Sequence, residues 1–289
     1  MSKKQQRKLK LAIPKGRLSK GVVKLLDDIG LKISQNGRNY RPFINDSELE
    51  VKLLKPQIIS KLVELGSQDI GFCGLDWIIE QDAKVEELLD LELDKVRIVS
   101  AVPVGYDFSK LIKRKIRVAS EYERIVKKYL EQKGINYEYI KTYGATECYP
   151  PEDADMIVDN VSTGNTLKDN NLKIVETVMS SSTRFIANID AMKDNWKQGK
   201  IKNITMLIKS VLEARKRVLI EMNISEAKLK ELLETLPCMK SPTVSKLYGG
   251  RGYAVKIAVK RDEVKELIPE LLQEGATDIL EYKLEKVVK

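Results

Sequence analysis

The segment ADMIVDNVSTGNTL, residues 154–167, gathers groups suited to holding a phosphorylated sugar. A short apolar run ends at Asp159, and Val161-Ser162-Thr163-Gly164-Asn165-Thr166 follows. A turn rich in Gly, Ser and Thr can direct successive backbone N–H groups at one anion, with hydroxyls as further donors. Gly164, lacking a side chain, lets a phosphate approach the main chain closely. Asp159 could accept hydrogen bonds from sugar hydroxyls, or help seat a Mg²⁺ that also holds phosphates. The same composition also reads as an ordinary polar strand-to-helix turn, and residue types alone leave both readings open.

Lys15 and Arg17 flank Gly16 just after the first apolar run. Arg offers forked donors and Lys a point charge, so either suits phosphate oxygens; either also suits an exposed surface. The chain has no histidine, which excludes Ser-His-Asp chemistry, Cys-His chemistry and histidine-ligated zinc. Catalysis must rest on carboxylates, Lys, Arg, hydroxyls, backbone amides or a bound Mg²⁺. Cys73, Cys148 and Cys238 are too widely spaced for a zinc motif and fit no disulfide framework, so each reads as a small buried or half-buried thiol.

These residues are carried by 289 residues, enough for two or three modest domains. Lys and Arg total 51 against 42 Asp and Glu, a net charge of +9 that favours anionic partners. The excess is spread along the chain and accompanies no nucleic-acid motif, so no nucleic-acid partner is expected. The longest apolar runs, such as Ile98 to Val104, are too short to span a bilayer, and MSKKQQRKLK leads into no signal-peptide core. A cytoplasmic protein without a membrane partner is expected.

Strand and helix patterns alternate from Lys10 onward, which predicts α/β sheets with helices on both faces. The run at 95–104 and the polar stretch near 188–196 read as two crossings between two lobes. The expected division is lobe I over 1–103 and 188–215, lobe II over 104–187, and a last domain over 216–289. That last third reads β-α-β-β-α-β, the ferredoxin-like pattern.

Asp159 followed by Ser162-Thr163-Gly164-Asn165-Thr166 resembles the phosphoribosyl pyrophosphate (PRPP) motif of phosphoribosyltransferases. LAIPKGRL (11–18), DIGFCGLD (69–76), GATE (144–147), RVLIEMN (217–223), LPCMKSPTVSKL (236–247) and GATDIL (275–280) are similar, in order, to segments of long-form ATP phosphoribosyltransferases. The resemblance covers nearly the whole chain. It implies a two-lobe, periplasmic-binding-protein-like (type II) catalytic body with the active site in its cleft, plus a C-terminal α+β ferredoxin-like domain that binds histidine as feedback inhibitor. It further implies ATP and PRPP as substrates, Mg²⁺ as cofactor, and homo-oligomers, dimers and hexamers.

On that resemblance Ser162, Thr163, Gly164, Asn165 and Thr166 hold the 5′-phosphate of PRPP, and Asp159 meets the ribose hydroxyls and, through the substrate, Mg²⁺. Lys15 and Arg17 take pyrophosphate or triphosphate oxygens, while Gly71, Gly74, Asp76 and Glu147 line the cleft on the ATP side. Ser241, Thr243, Asn223 and Asp278 are the candidates for the histidine effector. Two departures stand out. Ile58 replaces an acidic residue common in the family, and CYPPEDAD (148–155) is richer in Pro and acid than usual. Residues 1–8 have no counterpart and are expected to lack order. A two-lobed solute-binding protein, a phosphoribosyltransferase acting on a free base, and a nucleic-acid-binding protein are the rival readings. The loop, the LAIPKGRL opening with the C-terminal domain, and the absence of a nucleic-acid motif weigh against each in turn.

Overall fold

The computed structural model describes residues 7–34 and 39–288. The tail expected over 1–8 lies, through residue 6, outside the described residues. The chain forms two compact units, residues 1–27 with 31–202, and residues 28–30 with 203–289.

The first unit opens with β1 (Leu9–Pro14), α1 (Arg17–Asp28), the short ribbon β2 (Ile33–Ser34) and β3 (Phe43–Ile44), then β4 (Leu49–Leu54) and α2 (Pro56–Glu64). Next come β5 (Ile70–Gly74), α3 (Leu75–Glu80) and β6 (Glu86–Asp90). Pro56 opens α2, where its preset φ suits the first turn and its missing N–H is not needed. Strand β5 is buried along its whole length, so it reads as an unbroken run of small and apolar residues.

A second set follows: β7 (Val96–Pro103), α4 (Phe108–Leu111), β8 (Ile116–Ser120), α5 (Glu123–Gln132), β9 (Tyr137–Lys141), β10 (Met156–Val161), α6 (Asn165–Asp169) and β11 (Leu172–Ser181). The chain then returns through β12 (Thr183–Ala187) to α7 (Asn195–Arg215).

The two sheets share one topology. The first runs β4-β1-β5-β12-β6 and the second β9-β8-β10-β7-β11. In each, three strands lie parallel, and the strand arriving from the other half is wedged antiparallel beside the third. Each lobe is thus a mixed sheet with a parallel three-stranded half, and the open C-terminal ends of those parallel strands are where ligands bind in such sheets.

The lobe boundaries expected at 103/104 and 187/188 are each displaced by one strand. Strand β7 pairs with β10 and β11, in the second sheet, and β12 pairs with β5 and β6, in the first. Both strands are largely buried, and a buried apolar run gives no signal of which sheet it joins. The stretch near 188–196 is no crossing. The Asn188 amide nitrogen donates to the Val63 carbonyl at 2.8 Å and its oxygen accepts from Ala191 N–H at 2.8 Å, so the chain turns into α7 within the first lobe. By compactness the border with the second unit falls at 202/203, inside α7, while the strands and helices of the last domain begin at Arg217, beside the expected 215/216. One continuous helix serves both units, so no break in sequence marks the change.

The second unit contains β13 (Arg217–Ile224), α8 (Glu226–Thr235), β14 (Thr243–Lys246), β15 (Tyr253–Lys260), α9 (Val264–Gln273) and β16 (Thr277–Lys283). Its sheet runs β14-β15-β13-β16 with antiparallel neighbours, the ferredoxin-like arrangement. Strict alternation along β13 buries Val218, Ile220, Met222 and Ile224 in one core with Leu232, Leu267 and Leu271 from the two helices.

Candidate active site

Two adjoining cavities lie in the first unit. One, of about 360 Å³, is lined by Asp159, Asn160, Ser162, Thr163, Gly164, Thr166, Glu147, Glu121 and Arg17. The other, of about 310 Å³, is lined by Gly74, Asp76, Trp77, Tyr122, Gln57 and Ser181. Arg17, Glu121 and Asn160 line both, so the two form one cleft between the lobes.

The loop after β10 is shaped by Gly164, whose φ of +85° lies in the left-handed region. A Cβ there would meet only Ile174 Cδ1, at 3.8 Å, so the backbone angle, not crowding, favours glycine. Thr163 Oγ1 accepts from Asn165 N–H at 3.5 Å, a long contact that folds the turn back on itself. Asn165 is exposed and does not line the cavity; Ser162, Thr163, Gly164 and Thr166 do.

Asp159 lies inside β10, opposite Val99 of β7, rather than at the strand end. Burial pushes its carboxyl up to about 6, against hydrogen bonds from Asn160 N–H and the Thr146 hydroxyl, with the Glu121 and Glu147 charges adding to the rise. The Asn160 N–H contact measures 2.6 Å. Thr146 is aimed by a short helical turn after Ala145, itself left-handed at φ +48°, and shares a 3.0 Å hydrogen bond with Thr142.

A buried polar line joins the two cavities. The Ser181 hydroxyl donates to Asp76 Oδ1 at 2.6 Å and accepts from Asp76 N–H at 3.1 Å. The Tyr122 hydroxyl donates to Asp76 Oδ2 at 2.8 Å and accepts from Asn160 Nδ2 at 3.2 Å. Asn160 Nδ2 also donates to Asp159 Oδ1 at 3.1 Å. Burial, then the Asp76 charge, raises the Tyr122 phenol far above its usual value, so it stays a donor. Asp76 and Tyr122 are 5% and 1% exposed, so these contacts are fixed by packing rather than by solvent.

The expected site residues divide accordingly. Arg17, Gly74, Asp76, Glu147, Asp159 and most of the loop meet in the cleft, but Glu147, expected on the ATP side with Gly74 and Asp76, instead lines the cavity that holds Asp159 and the loop. Gly74 precedes α3, and a Cβ there would land on the Asp76 carboxylate that folds back over it. Gly71 is a correction. It is buried in β5, where a Cβ would press on Ile59 at 2.8 Å and on Ala12 and Val63 at 3.2 Å, so it serves the packing of α2 on the sheet. Lys15 lines neither cavity, and its ammonium sits 4.0 Å above the Tyr40 ring. Glu121, Tyr122, Asn160 and Ser181 were missed. Glu121 directly follows β8, and the end of a parallel strand was the available signal. Tyr122 falls in register with the apolar residues Ile125, Val126 and Tyr129 of α5, so its spacing reads as core, although it is the residue that opens that helix.

In the second unit the four effector candidates separate into pairs. Asn223 Nδ2 and Thr277 Oγ1 both donate to Asp278 Oδ2 at 3.0 Å, and these bonds hold the carboxyl below its usual range. Thr243 lies on the edge strand β14, opposite Lys256, whereas Asn223 lies on β13 opposite Ala254. Ser241 is exposed just ahead of β14. Within one chain the pairs therefore do not meet.

Fold and cleft together define a class: a two-lobed α/β protein of periplasmic-binding-protein-like architecture, with a hydroxyl-rich loop and buried or half-buried acids in its cleft and a ferredoxin-like domain after it. The family model for ATP phosphoribosyltransferase matches residues 55–210, and that for the C-terminal domain of HisG matches residues 214–286. The ATP phosphoribosyltransferase of Pelotomaculum thermopropionicum is 38% identical over 288 residues, 97% of this chain and 99% of that one. That of Thermodesulfovibrio yellowstonii is 40% identical over 287 residues, covering 97% and 98%. Among solved structures, the ATP phosphoribosyl transferase (HisG:HisZ) complex from Thermotoga maritima aligns with a TM-score of 0.61 at 26% identity, over 70% of this chain and 98% of that one. The chain belongs to the ATP phosphoribosyltransferase family, transferases of histidine biosynthesis, in its long form.

Proposed function

We propose that the chain transfers the phosphoribosyl group of PRPP to N1 of ATP, giving phosphoribosyl-ATP and pyrophosphate, and that histidine inhibits it through the ferredoxin-like domain. The observation that carries the reading is the grouping of Asp159, Ser162, Thr163, Gly164, Thr166 and Arg17 around one cavity of about 360 Å³. Loop hydroxyls and amides hold the 5′-phosphate, and Asp159 and Glu147 accept from ribose hydroxyls. ATP takes the adjoining cavity beside Asp76 and Trp77. The adenine N1 lone pair attacks ribose C1, the C1–oxygen bond breaks, and its electrons leave on pyrophosphate. N1 carries no proton, so the attack needs no histidine base. Arg17, common to both cavities, is placed to neutralise charge gathering on the leaving group.

Mg²⁺ fits this donor set as an ion carried by the substrate. Among the described residues no three acidic or cysteine side chains converge as a metal cage, and Mg²⁺ characteristically binds through one or two carboxylates with substrate phosphates. Asp159 is the residue that would hold it, and the ion would supply charge neutralisation at the phosphates. Asp278, with Asn223, offers the effector an ionised carboxylate for its ammonium group. Homo-oligomers, dimers or hexamers, belong to the same reading. Among the described residues no helix is long and apolar enough to cross a membrane, and we place the protein in the cytoplasm with no nucleic-acid partner.

Replacing Thr163 and Thr166 together by Ala tests the assignment. Two lost hydroxyl contacts should raise KM for PRPP by about 10- to 100-fold while KM for ATP changes little. Equal loss for both substrates overturns the loop's role.

A further inference from the structure

Helix α5 of the second lobe begins against α3 of the first, and five contacts join the two segments. The Glu80 carboxylate, at the end of α3, accepts from Arg124 N–H and Ile125 N–H, one on each oxygen, both at 3.1 Å. The Trp77 and Tyr122 rings pack with centroids 4.7 Å apart. Asp76 accepts from the Tyr122 hydroxyl at 2.8 Å, and Arg124 pairs with Asp82 at 3.7 Å. No side chain of α5's own entry residue caps the helix, so the cap comes from the other lobe.

We propose that Glu80 is a positioning residue: by capping α5 across the cleft it sets the distance between the lobes and aims Tyr122 and Asn160 at the reacting pair. A helix N-terminus leaves amides without partners, and a carboxylate both satisfies them and suits the positive end of the helix dipole. Here that ordinary stabilising device is placed between two bodies that each hold one substrate in the proposed reaction. Loosening it would leave most of each binding surface in place, since each lobe supplies the larger part of one cavity, but would let the reactants move apart. In a two-substrate transfer, orientation is where rate is lost. The inference rests on the proposed transfer reaction only for its kinetic consequence.

Glu80→Ala and Glu80→Gln are compared with the parent, full-length, by hydrogen exchange and by steady-state kinetics. The amides of Arg124 and Ile125 should exchange roughly fivefold faster in Glu80→Ala, the size expected for one lost N-cap, with Glu80→Gln intermediate because its amide oxygen still accepts. With both substrates present, kcat should fall about tenfold or more in Glu80→Ala, each KM should move less, and Glu80→Gln should recover part of the rate. Unchanged exchange at α5 overturns the cap, whatever the activity. Faster exchange with unaltered kcat overturns the positioning role and leaves a purely structural cap. A parent enzyme inactive towards ATP and PRPP would instead count against the proposed reaction, and the exchange result would still decide the cap.

Discussion

Asp159→Asn should make the protein more stable at neutral pH while abolishing its activity. The Asp159 carboxyl titrates near 6 in the fold against 3.8 for the free group, chiefly because burial disfavours its charge. The native state therefore binds more protons than the unfolded chain between those values, and stability falls as pH rises through that window. The full difference corresponds to about 3 kcal/mol at pH 7 and above. Water in the open cleft relaxes part of it, so about 1–2 kcal/mol is expected. Asn keeps an acceptor for Asn160 N–H without the charge. Chemical denaturation at pH 8 should thus show the variant more stable by about that amount, a few degrees in Tm, and the gap should close near pH 4. Transfer activity should drop by about 100-fold or more. A variant less stable than the parent at pH 8, or a stability gap unaltered between pH 4 and pH 8, would refute the reasoning.

Gly71→Ala should destabilise the protein by about 1–3 kcal/mol through overpacking against Ile59, Ala12 and Val63, with both KM values unchanged in the folded fraction; urea unfolding alongside kinetics checks this, and a selective rise in KM for ATP would return Gly71 to the cleft. Asp278→Ala should raise the histidine concentration for half-inhibition about tenfold, the loss of one charge-assisted contact, without altering uninhibited rate; inhibition curves that overlay the parent would remove Asp278 from the effector site.

The hydroxyl-rich turn after β10 was legible because its signal is local. Gly164, the hydroxyls and Asp159 lie within eight residues, and the backbone angle at Gly164 is a property of that short stretch. The ferredoxin-like domain was legible because β13 alternates strictly and its helices carry their own apolar stripes. The lobe borders were less so. β7 and β12 are largely buried in their sheets, and pairing partners tens of residues away decide which sheet each joins. The Ser181–Asp76–Tyr122–Asn160 line was invisible for the same reason, since Asp76 meets Ser181 from 105 residues away and Tyr122 from 46. Gly71 misled because a glycine needed for helix–sheet packing has the same letter as one that admits a substrate.

The proposed chemistry is tested most directly by incubating the purified chain with ATP, PRPP and Mg²⁺ and identifying products by mass spectrometry. We predict phosphoribosyl-ATP and pyrophosphate in equal amounts, suppressed when histidine is added. PRPP left intact beside ATP, or its phosphoribosyl group found on a free base instead, would contradict the account.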